Sequence, residues 1–69
     1  MIENDDELEA TLERVARFQN QVTHLRQTEP DPISYRAQVG GFLAEIDRMQ
    51  LEIREYLAVH PADTVLTSS

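Results

Sequence analysis

The chain has 69 residues with thirteen acidic side chains, six arginines and no lysine or cysteine, for a formal net charge of −7. That balance repels phosphate backbones and argues against direct nucleic-acid binding. Without cysteine there is no disulfide framework, and two histidines with no cysteine beside them are a poor basis for a structural zinc site.

The opening MIENDDELEA is acidic where a secretory leader would be basic, and no apolar run approaches membrane-spanning length, so a soluble cytoplasmic protein is expected. Met1 to Glu3 read as a frayed start. Asn4-Asp5-Asp6-Glu7 then sets an N-cap residue three positions before an acid, the capping-box pattern. A first helix is expected from about residue 5 to about 27, with an apolar stripe of Leu8, Leu12, Val15, Phe18, Val22 and Leu25. Thr28-Glu29-Pro30-Asp31-Pro32 breaks it, because proline removes a donor and pushes its predecessor out of the α region. Asp31 fits an N-cap and Pro32 the first helical position of a second helix, expected over about 32 to 59.

Gly40-Gly41 could bend that second helix. Against a bend, Tyr35, Val39, Phe42, Ile46, Met49, Ile53 and Tyr56 keep a four-three rhythm across the glycines, which favours one continuous helix. Pro61 ends the regular structure, leaving residues 1–60 as a helical hairpin and 61–69 as an expected disordered C-terminal tail.

Two helices joined by a proline-bearing turn make an all-α protein, an αα-hairpin of two long amphipathic helices. In a heptad frame Leu8, Val15 and Val22 are a positions of the first helix, and Val39, Ile46 and Ile53 of the second. The d positions are Thr11, Phe18 and Leu25, then Tyr35, Phe42, Met49 and Tyr56; the e positions are Leu12, Gln19 and Arg26, then Leu43, Gln50 and Leu57. A face three positions wide exceeds what one neighbouring helix can cover, so a homodimer is expected in which two hairpins form a four-helix bundle. A chain this small with no disulfide or metal also calls for association. The oligomer interface is assigned to Val15, Phe18, Val22, Val39, Phe42, Ile46, Met49, Ile53 and Tyr56.

The outer positions of the first helix are polar, but those of the second include Ala37, Gly40, Gly41, Ala44 and Leu51. Small residues four apart admit a close second backbone, so these five form a possible second interface; the plainer reading is ordinary helix-forming surface.

No catalytic, cofactor-binding or metal site is expected. There is no nucleophile-histidine arrangement, no glycine-rich phosphate loop and no Glu-x-x-His pattern of carboxylate metal bundles. Glu45 and Glu52 share a g edge, where acids are mostly solvated; His24 and His60 read as bystanders; Gln19 and Gln50 read as register-setting polar residues at the core edge. The expected function is therefore non-enzymatic protein-protein interaction, with the chain itself as partner and another protein as a further one. The alternatives are a small carboxylate metal- or ligand-binding bundle, or a purely structural adaptor.

The opening Met1-Ile2-Glu3-Asn4-Asp5, the proline-containing turn and the helix Glu45-Ile46-Asp47-Arg48-Met49-Gln50-Leu51-Glu52-Ile53-Arg54-Glu55-Tyr56-Leu57 resemble the N-terminal helical hairpin of bacterial helix-turn-helix antitoxin regulators. In that family the hairpin precedes a DNA-binding domain. These residues hold no such domain and no basic recognition helix, so the resemblance implies an association module in an antitoxin-like setting, without DNA recognition.

Overall fold

A computed structural model describes residues 1–62. It consists of two helices, α1 over Asp5–Thr28 and α2 over Pro32–Leu57, packed against each other with no strand among the described residues. At about 1.5 Å per residue they are roughly 36 Å and 39 Å long.

Each boundary has a local cause. The Asn4 side chain accepts from the Glu7 N–H at 2.8 Å, and the Glu7 carboxylate reaches back to the Glu3 N–H at 3.2 Å. The first bond satisfies an amide that a helix start leaves without a partner, the second ties down the residue before the cap, and Asp5, Asp6 and Glu7 add negative charge at the positive end of the helix dipole. Asp31 caps α2 by accepting from the Ile33 and Ser34 N–H groups at 3.4 and 3.3 Å, with Pro32 in the first turn, where its missing donor costs nothing. The Gln38 amide ties the turn to α2, donating to Glu29 and to the Ser34 hydroxyl, both at 2.9 Å.

α2 runs unbroken through Gly40-Gly41, and neither glycine has a positive φ. A Cβ added at either would meet nothing within 4 Å, so no close approach inside the chain requires a glycine there. Each costs about 1 kcal/mol relative to alanine in a helix interior. α2 ends at Leu57, slightly before the expected residue 59, where Ala58 and Val59 close the last turn onto the Arg54 and Tyr56 carbonyls. Of the expected tail, residues 63–69 lie outside the described residues.

The core is the a/d seam of one hairpin. Val15, Ile46 and Met49 form a buried cluster, with Phe18, Val22 and Ile53 packed against it and Val39 buried further along α2. The Phe18 and Phe42 rings meet edge to face, centroids 5.5 Å apart, which suits the aromatic quadrupole. One expectation is corrected: the residues before α1 are not frayed. Ile2 is buried and the Met1 ammonium lies 3.4 Å from Glu52, so the start of the chain folds onto the end of α2.

Candidate interaction site

The antiparallel hairpin brings residues whose numbers sum to about 60 to the same level, as Phe18 with Phe42 and Asp5 with Tyr56 show. In such a pairing the e positions of both helices lie on one side. That side carries Leu12, Leu43 and Leu57, which remain 48%, 45% and 63% exposed with the seam closed. Leu12 and Leu57 line an open groove with Val15, Gln50, Ile53 and Ala58, and Arg54 at its margin. Gln19 and Gln50 are exposed at polar steps of the same side. The geometry is that of a wide apolar face whose second layer of leucines remains exposed beside the closed seam.

Of the residues assigned to the oligomer interface, Val15, Val39, Ile46 and Met49 are buried within one chain, and Phe18, Val22, Phe42, Ile53 and Tyr56 are half-buried. All lie on the side where α1 meets α2, so they already hold the hairpin closed, and the exposed leucines beside them extend the same face. On the opposite side of α2, Ala37, Gly40, Gly41, Ala44 and Leu51 are all exposed.

Two features escaped the sequence reading. Ile33 is 73% exposed and stands eighteen residues, five helical turns, before Leu51, hence on the same line of α2; counting back from Leu51 would have found it. The second is the clamp at the open end of the hairpin, where the Tyr56 hydroxyl donates to Asp5 at 2.5 Å. Nearby, Ile2, Leu57, Val59 and Pro61 line a groove of about 750 Å³ rimmed by Glu3, Asp5, Glu52 and Glu55.

The g-edge acids, expected to be solvated, each have an ion-pair partner: Glu45 pairs with Arg48, and Glu52 with the N-terminal ammonium. His24 is exposed, and His60 accepts the Ala62 N–H through Nδ1 at 3.0 Å. No group of three His, Cys, Asp or Glu residues could hold a metal ion among the described residues, and no helix there is long and apolar enough to cross a membrane.

The hydrogen bond to Asp5, together with partial burial and the nearby negative charge, holds the Tyr56 phenol above its usual range. A phenol raised in the folded state stabilises the fold below the unfolded value of about 10, and that contribution is lost as pH rises through the folded value. In a Tyr35→Phe background the remaining tyrosine, followed by phenolate absorbance, should ionise above the ordinary range and return to it when Asp5→Ala is added. An unmoved midpoint would mean that the clamp does not form in solution.

Comparison with family models, with curated proteins and with solved structures finds no match to this chain.

Proposed function

We propose that this chain is a non-enzymatic self-association module, in which two hairpins lay their leucine faces together as a homodimeric four-helix bundle. The observation that carries this reading is the placement of Leu12, Leu43 and Leu57. They sit on one side of a closed hairpin whose core is the cluster of Val15, Ile46 and Met49 with Phe18, Val22 and Ile53 packed against it. Single exposed leucines are commonplace, but three aligned beside the seam continue the core outward and support a second hairpin as their cover. Gln19 and Gln50 would then meet across the bundle as polar steps that favour one register over slipped ones.

The acidic outer surface and the resemblance to antitoxin-regulator hairpins support a cytoplasmic role as a regulatory module that binds another protein through its own dimer. Phosphate backbones are disfavoured as direct ligands by the net charge of −7. The test is sedimentation equilibrium of the purified chain at micromolar concentration. A mass of two chains or a multiple of two is expected; a folded single chain contradicts the reading.

A further inference from the structure

The back of α2 carries a second surface, centred about 80° or more round the helix from the leucines of the first. At about 100° per residue, Ile33, Ala37, Gly40, Ala44 and Ala58 all fall within about 40° of Leu51, nearly opposite the buried seam. Ile33 and Leu51 are 73% and 53% exposed, and the residues between them along this line are mostly small. The glycine at position 40 has no neighbour that a Cβ would touch. Nothing within the chain therefore accounts for a small residue there.

We propose that this surface binds the same surface of a second copy, with the two α2 helices antiparallel about a two-fold axis at residue 42. A two-fold contact requires that if residue i meets residue j, then j meets i. Ile33 and Leu51 are each nine residues from position 42, and Gly40 and Ala44 are each two residues from it. The axis therefore sets each Ile33 against the other copy's Leu51, and Gly40 against Ala44 at the centre. The backbones come closest where the side chains are smallest, and the large apolar groups close the two ends.

Charge selects the second copy and its direction. Arg36 and Asp47 lie on the same margin of the surface, and neither forms an ion pair among the described residues. Eleven residues, roughly 16 Å along the helix, keep them apart within one chain. In the antiparallel register, Arg36 stands opposite position 48 of the other copy, one residue from Asp47, so the pair forms twice. A parallel in-register alignment would set Asp47 against Asp47 and Arg36 against Arg36, which is unfavourable. Arg36 stands one heptad before Leu43, so this contact borders the leucine face, but it is centred on Leu51 and stands even if that face remains solvated.

The test uses full-length Arg36→Asp and Asp47→Arg variants, each checked for helicity by circular dichroism. Alone, each variant places like charges across the axis, and its assembly mass should fall to half that of the unmodified chain, with association weakened roughly tenfold or more. An equimolar mixture should recover the original mass, because an Arg36→Asp chain facing an Asp47→Arg chain restores both attractive pairs. Leu51→Arg should also halve the mass, without recovery on mixing. Changes confined to a single chain cannot produce recovery by mixing. Single variants with the original mass, or a mixture no larger than its components, overturn the proposal. If Leu51→Arg and the charge variants reduce a larger assembly to a dimer that Leu12→Asp dissolves, the leucine face is upheld separately; if Leu51→Arg and the charge variants all give monomers, the back of α2 is the principal contact.

Discussion

Met49→Asp should unfold the hairpin. Met49 is 2% exposed and belongs to the cluster with Val15 and Ile46, so the aspartate would replace a buried thioether with a carboxylate that has no cationic partner there. Loss of the packed side chain costs about 2 to 5 kcal/mol, and burying an unpaired charge adds to that. A domain of this size rarely holds more than about 3 to 5 kcal/mol in a single core. Far-ultraviolet circular dichroism should show near-complete loss of helix at room temperature. Ile53→Asp should be milder, because Ile53 is only half-buried and can turn its carboxylate toward the open groove. Native helicity in the Met49 variant would mean that the two helices do not meet along this seam.

Combining Leu12→Asp with Leu57→Asp should dissolve the dimer. Both side chains are about half exposed in one chain, so the change costs little within a solitary hairpin but puts four carboxylates into a dimer interface. Forfeiting the remaining burial of four leucines, at about half of 1.5 to 3 kcal/mol each, amounts to at least 3 kcal/mol, roughly a hundredfold in dissociation constant. Sedimentation should read half the mass that the unmodified protein shows at the same concentration. Asn20→Arg, on the exposed outer side of α1, is the control and should change neither mass nor helicity. An unchanged mass in the double variant would leave the leucines as plain solvated surface.

The sequence made the helices legible because their start signals are local. Asn4 with Glu7, and Asp31 with Pro32, place the helix starts by hydrogen bonds spanning two or three residues. The continuity of α2 was legible from phase, since Phe42 and Ile46 keep step with Tyr35 and Val39 across the glycines. Periodicity states how wide an apolar face is but not what covers it. Val15, Phe18, Ile46 and Met49 read equally well as contacts within a chain or between chains, and only the closed hairpin shows that α1 and α2 cover them first. Ile2 and the Asp5–Tyr56 clamp were illegible for a related reason. Both depend on which residue of α2 lies opposite the start of α1, and that register is set by the length of the turn and the packing of the aromatic rings.

The central claim, that a second copy covers the leucine face and thereby supports the fold, is tested most directly by a dilution series in which sedimented mass and helicity are read on the same samples. The two should fall together, with helicity lost as the dimer gives way to single chains and regained on concentration, because folding and association share one equilibrium. Full helicity persisting at the mass of one chain would contradict the claim and leave the hairpin a self-sufficient monomer.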